Sequence, residues 1–277
     1  MTASAVGARR FALSQKAGGR LLDVVITLAA DDVRLRYRGT FLGALWSIAR
    51  PLALFGVLYL VFTRVVRFDS DLAHYPLYLL LAVVLWNHFS EVTRTMSTSL
   101  VTKGPLLRKV RFPRLAVPLA ASFAAFATLG PALVVVIGFV LASDITPRMD
   151  WLQLVPIVLL LHLFATGVGL LLAVAYVRLR DVAELWALAL QLLFYGSAVI
   201  YPVSLYPENF QPIAAASPLV AAFTQGYHAL VDPSAPTATT ALGGDLGVAV
   251  LVALTVLPLV AGGWAFARAA PRVAELV

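Results

Sequence analysis

Four windows of this sequence, Leu115 to Ser143, Trp151 to Val177, Leu185 to Pro207 and Leu246 to Ala267, contain no Asp, Glu, Lys or Arg. A hydrocarbon core about 30 Å thick is crossed by roughly 20 apolar helical residues, so each window is long enough to span. Hydrophobic residues make up 61% of the 277 positions and charged residues 13%, roughly half the charged share of a soluble domain. The chain reads as an all-α integral membrane protein.

Six spans are predicted, at about 40–66, 76–96, 115–143, 152–177, 185–204 and 246–267, with no internal repeat. They form one transmembrane domain over 1–277: a cytoplasmic N-terminal segment 1–38, a six-helix membrane domain 40–267 and a cytoplasmic tail 268–277. Between spans five and six, Pro207, Pro212, Pro218, Pro233 and Pro236 break any long helix and leave room for short ones such as Leu219 to Leu230. The first 20 residues carry Arg9, Arg10, Lys16 and Arg20 without an apolar stretch behind them, which argues against a cleaved secretory signal.

Orientation follows from the cations outside the spans. The N-terminal segment, the loops after spans two and four, and the tail hold sixteen Lys and Arg; the opposite side holds Arg64, Arg67 and Arg148. Both termini are therefore expected in the cytoplasm. The net charge of +7 belongs to these loops and not to a nucleic-acid surface. Residues 21 to 37 place Leu21, Leu22, Val25, Leu28, Ala29, Val33 and Leu35 mostly on one helical face, predicting an amphipathic helix lying in the interface or packed on protein beside it.

The sequence excludes several chemistries. Cysteine is absent, so thiolate metal sites and cysteine nucleophiles do not arise. No G-x-x-x-x-G-K-[ST] occurs, and Lys16, Lys103 and Lys109 lack any such glycine context, so ATP has to be hydrolysed by a partner. His74, His88, His162 and His228 are scattered, without a second ligand at helical spacing. Glu91 and Arg94 are one turn apart and are expected to neutralise each other. Arg50, followed by Pro51, either snorkels to the interface or lines a wet path.

Two features are more suggestive. Aromatic residues cluster in span one (Trp46, Phe55, Tyr59, Phe62), span two (Trp86, Phe89) and span five (Phe194, Tyr195, Tyr201, with Tyr206 beyond). They read as packing and interfacial belt, or as flat faces along which sugar rings slide. The loop Lys103 to Arg114, KGPLLRKVRFPR, sets five cations around Leu106, Leu107, Val110 and Phe112. Those apolar residues suggest a groove on a partner protein.

Three blocks carry a resemblance. RLRYRGTFLGALWSIARPLALFGVLYLVFTRVV, from Arg34 to Val66, has a basic-tyrosine-basic start followed by Leu-Gly-x-Leu-Trp and a proline. The block from Tyr75 to Arg114 ends in Lys-x-x-Phe-Pro-Arg, and that from Tyr176 to Val231 contains VRLRDV, SAVIYPVS and SPLVAAFTQGYHALV. In these the chain resembles permeases of type-2 ATP-binding-cassette exporters, specifically the polysaccharide and teichoic-acid branch. It departs from them at Arg50, where a Gln usually precedes the proline, at Ser217 in place of Asn, and at Tyr176 in place of Asn.

The resemblance implies a homodimer docked on two cytoplasmic ATPase subunits, in a bacterial plasma (inner) membrane, exporting a lipid-linked glycan such as O-antigen, galactan or teichoic acid. The ATPase would be met by the N-terminal helix and by Lys103, Pro105, Leu106, Leu107, Arg108, Lys109 and Arg111. Arg34, Arg36, Arg38, Arg180 and Asp181 would form the cytoplasmic mouth for the lipid-pyrophosphate end. Trp46, Phe55, Tyr59, Phe62, Phe194, Tyr195 and Tyr201 would line the channel, and short re-entrant helices between spans five and six would close the outer side. The chain itself would bind no cofactor, ATP and Mg residing on the partner. The alternatives are a drug or lipid exporter of the same superfamily, a membrane-embedded glycosyl- or acyltransferase, and a proton-coupled carrier.

Overall fold

A computed structural model describes residues 21–37, 43, 45–65, 72, 74–110, 112–237, 240, 242 and 245–276. Among them the secondary structure is entirely helical. The order is α1 (Leu21–Tyr37), α2 (Leu45–Leu60, closed by a π-helical turn Val61–Val65), α3 (Tyr75–Thr102), α4 (Gly104–Lys109) and α5 (Ala116–Ala142). A 3-10 turn, Met149–Gln153, then leads into α6 (Leu154–Arg178), α7 (Val182–Gly196), a second 3-10 turn Val203–Leu205, α8 (Gln211–Ala215), α9 (Pro218–Leu230) and α10 (Asp245–Leu276). Among the described residues three helices are long and apolar enough to cross a membrane, in Ala116–Ala142, Met149–Arg178 and Gly247–Ala269, and α2 and α7 are shorter apolar helices.

Helix α3 is the axis of the bundle. It packs against α2, α5, α6, α7 and α9, and Leu79 to Val83, Leu85, Val92, Met96 and Leu100 have no exposed surface. Shielded on so many sides, it need not be strongly apolar to lie among membrane helices. It also runs six residues past the expected end at 96. The extension is rich in Ser and Thr, whose hydroxyls bond back to carbonyls three or four residues earlier, as Ser97 does to Arg94, Ser99 to Met96 and Thr102 to Thr98. Those bonds satisfy the side chains within the helix.

Span five departs most from expectation. Helix α7 ends at Gly196 and not near 204. Ala198 adopts φ 55°, in the left-handed region, and Ala198, Val199 and Ile200 are buried. The carbonyls released by this bend find tyrosine hydroxyls: Tyr75 donates to Ile200 O at 2.5 Å, Tyr78 to Ala198 O and Tyr206 to Gly196 O at 2.8 Å. Irregular backbone beside lipid is tolerated only when its polar groups are satisfied by protein in this way.

Span six is longer than expected. Helix α10 continues through the expected tail to Leu276. It packs along α6 at a glycine crossing, where a Cβ on Gly167 would lie 2.3 Å from Leu259 N and one on Gly262 2.6 Å from Gly167 O. Small residues at such a crossing let two backbones touch. The short helix α9 matches the Leu219 to Leu230 expectation and buries Leu219 to Phe223, Gly226, Tyr227, Ala229 and Leu230 among α3 and α6.

Helix α1 forms where expected but packs on protein. Val24, Val25, Leu28 and Ala29 close against Ala116, Ala120 and Ala124 of α5. Leu22 and Leu35, expected on the apolar face, are 63% and 64% exposed, as Ile26 is at 62%. Asp32 and Arg36 continue the packed stripe at i+4 and i+8 from Leu28, which directs two charges toward α3.

Candidate functional site

The charge stripe of α1 meets α3 at two points. The Lys103 ammonium lies 2.6 Å from Asp32 Oδ2, and Arg36 Nη1 is paired with Glu91. Glu91 thus finds its partner 55 residues away in sequence and not at Arg94. The reason is geometric: α1 lays its guanidinium against the α3 face that carries Glu91, whereas Arg94 is exposed.

Beside this pair α1, α2, α3 and α5 border an open cavity of about 360 Å3. Arg36, Arg50, Arg94 and Glu91 supply its charges, Trp46 an indole face, and Val84, Leu129 and Ala132 apolar surface. Arg50 therefore lines a polar recess, one of the two readings open from sequence. A second recess of about 250 Å3 lies along Asp32, Arg36, Thr95, Thr98, Thr102 and Lys103.

At the inner wall stands His88, 4% exposed. Its Nε2 is 3.3 Å from Nδ1 of His162, whose Nε2 is 3.3 Å from Ser122 Oγ, which in turn shares a 2.7 Å hydrogen bond with Thr166. His88 Nδ1 is buried without a hydrogen-bond partner. The two histidines are thus brought together across α3 and α6, which spacing along one helix cannot reveal. Among the described residues no third His, Asp or Glu joins them in a group able to hold a metal.

The other expected site residues fall in separate places. Arg34 is exposed on α1, away from the packed stripe. Arg180 lies over the Tyr176 ring at 5.3 Å, and Asp181 begins α7; neither lines the cavity. Arg38 and Arg111 lie outside the described residues. In α4, Pro105, Arg108 and Lys109 are exposed. Leu106 and Phe112 pack on the α1 and α5 cluster, while Leu107 and Phe112 also reach the main core. These three apolar residues are thus partly covered by the chain's own helices, because α1 and α5 pass beside the loop.

The aromatics form two groups. Phe55 stacks with Tyr59 at 5.8 Å and meets Phe139 at 6.3 Å, while Trp46 lines the cavity and Phe62 packs on the core. In the second group Phe194 meets Trp86 and Tyr195 at 5.7 and 5.3 Å, and Tyr201 meets Tyr206 at 5.5 Å. Tyr201 donates its hydroxyl to Tyr195 O, so that hydroxyl caps a helix end. Tyr206 holds its proton more tightly than usual, its pKa pushed up to about 12 by burial and then by the neighbouring Tyr201.

Known proteins bear on these features. The family described as ABC-2 type transporter matches residues 24–229. An "O-antigen export system permease protein RfbA" of Klebsiella pneumoniae is 26% identical over 202 residues, covering 73% of this chain and 77% of that protein. A protein of the same name from Myxococcus xanthus is 28% identical over 182 residues, 65% of this chain and 69% of that one. The family match runs from α1 through α9 and so takes in the cavity and the charge pairs, and the apolar helices agree with a multi-pass membrane protein. This chain belongs to the ABC-2 type transporter family, and is an exporter permease, a transport component without a catalytic domain.

Proposed function

We propose that this permease moves a lipid-linked cell-envelope polysaccharide across a bacterial plasma membrane, as a homodimer driven by two cytoplasmic ABC ATPase subunits that hold the ATP and Mg. Each copy crosses the bilayer six times, through α2, α3, α5, α6, α7 and α10, with both termini cytoplasmic. Arg34, Arg36, Arg38, Arg180 and Asp181 belong to the cytoplasmic mouth, and the residues from Lys103 to Arg111 to the ATPase dock.

The observation that carries the substrate reading is the similarity to two O-antigen export permeases over about two thirds or more of the chain. The homodimer reading is supported by α2 and α7, which bury only Pro51 and Leu190 respectively. The aromatics assigned to the channel lie on or just beyond these two helices, with Trp46 44%, Tyr59 37% and Tyr195 58% exposed. A second copy would bring the two aromatic groups to opposite walls of one passage.

Depletion of the chain followed by electrophoresis of cell-surface glycans tests the substrate: loss of long glycan chains is expected. Unchanged glycans with new drug sensitivity would favour the drug-exporter reading instead. Charge reversal at Lys109 and Arg111 is expected to uncouple partner ATPase activity from export. For topology, single cysteines placed in this cysteine-free chain between 208 and 216 are expected to react with an impermeant reagent from outside.

A further inference from the structure

The cavity between α1, α2, α3 and α5 carries three guanidinium groups and one carboxylate. Glu91 is engaged by Arg36; among the described residues Arg50 and Arg94 have no acidic partner. The excess of two positive charges repels a cation, so two histidines nearby do not make this a metal site. A volume of about 360 Å3 lies at the small end for ligand pockets, which suits a head group and not a sugar chain. Among the described residues Trp46 is the cavity's one large stacking face.

Planar guanidinium forks match tetrahedral oxyanions through paired N–H donors. Pro51, Val84, Leu129 and Ala132 also line the cavity, apolar surface that suits an attached hydrocarbon. Anion, hydrocarbon and size together point to one class of ligand.

We propose that this cavity binds the phosphate head group of a lipid, with Arg50 and Arg94 as principal contacts, Arg36 held beside them by Glu91, and His88 at the inner wall. The lipid is either the diphosphate-linked carrier of the exported chain, in which case the site rests on the export reading above, or an anionic lipid of the bilayer. Both present the same chemistry to the arginines.

The test uses the full chain with its ATPase partner in phosphatidylcholine nanodiscs. Radiolabelled farnesyl diphosphate is the probe, and phosphatidylglycerol and inorganic pyrophosphate are the competitors. Saturable binding is expected, weakened about tenfold or more by Arg50→Gln and by Arg94→Gln and tightened by Glu91→Gln. Arg178→Gln, an exposed charge of α6 outside the cavity, should leave it unchanged. Displacement by phosphatidylglycerol at matching affinity assigns the site to bilayer lipid; selective displacement by pyrophosphate assigns it to the diphosphate carrier.

Absence of binding in every arm overturns the proposal, as does undiminished binding by an Arg50→Gln, Arg94→Gln double variant that keeps its size-exclusion profile. If the glutamine variants do not fold, Arg50→Lys and Arg94→Lys retain the charge, lose the fork and are expected to weaken binding several-fold; undiminished binding there overturns it equally. Glycan export is read separately. Loss of surface glycan on depletion without head-group binding removes this site and leaves the export reading standing, and the reverse result does the opposite.

Discussion

The Lys103 ammonium sits 2.6 Å from the carboxylate of Asp32, joining the start of α4 to the packed face of α1. Their side chains are only 19% and 24% exposed, so the pair is better shielded than an ordinary surface bridge. Asp32→Lys or Lys103→Glu alone is expected to cost about 1 kcal/mol of stability and to lower ATPase stimulation in the complex. The double exchange should recover much of both. A double exchange no better than either single change would show that the contact carries no coupling.

The crossing of α6 and α10 leaves no room for a methyl group. Gly167→Ala and Gly262→Ala each drive a Cβ into backbone, and a loss of about 1–3 kcal/mol or more is expected from overpacking. Gly130 and Gly138 in α5 have nothing within 4 Å of such a Cβ, so alanine there should cost nothing. Thermal unfolding followed by fluorescence-detected size exclusion separates the two pairs of variants.

Tyr78, 1% exposed, holds the carbonyl of Ala198 where α7 has broken off. Tyr78→Phe leaves that buried acceptor unpaired, for an expected loss of about 1–3 kcal/mol. Proteolysis or cysteine labelling between 197 and 206 should rise with it. Tyr201→Phe removes a hydrogen bond nearer the surface and is expected to matter less. Equal effects would mean that Tyr78 is not the principal clamp on the bend.

Asp232 follows α9, and its Oδ1 accepts from the Ser234 hydroxyl at 2.6 Å and the Ser234 N–H at 2.9 Å. The Ser234 hydroxyl bond, more than any other influence, holds this carboxyl below its ordinary value of 3.8. A lowered folded pKa means stability present above the ordinary carboxylate range and lost as pH falls through the folded value. Asp232→Asn keeps the acceptor and removes the charge. Its melting-temperature deficit should therefore be constant near neutrality and vanish under acid, and a deficit independent of pH would refute the assignment.

Much of the bundle is legible in the order of residues. The spans at α5 and α6 agree with their expected limits to within about two residues, because charge-free windows flanked by cations and prolines mark both ends. Helix α9 is equally plain, set off by Pro218. The end of α7 is not, since Gly196 to Pro202 remains apolar and the bend at Ala198 is held by Tyr75 and Tyr78, some 120 residues earlier. The same limit applies to the cavity. Arg50 and Glu91 stand out in sequence as charges within spans, but which guanidinium reaches Glu91 depends on how α1 lies on α5. His88 and His162 are 74 residues apart and meet only because α3 and α6 are neighbours.

Helix α3 is an unbroken helix of 28 residues, about 42 Å long at 1.5 Å per residue. At one end Lys103 is anchored to Asp32; at the other Tyr75 and Tyr78 grip the loop after α7. It has the form of an axle with a fitting at each end. A twist or thrust delivered at the lysine end reaches the tyrosine end without passing through a hinge, so the two ends of α3 are mechanically one part.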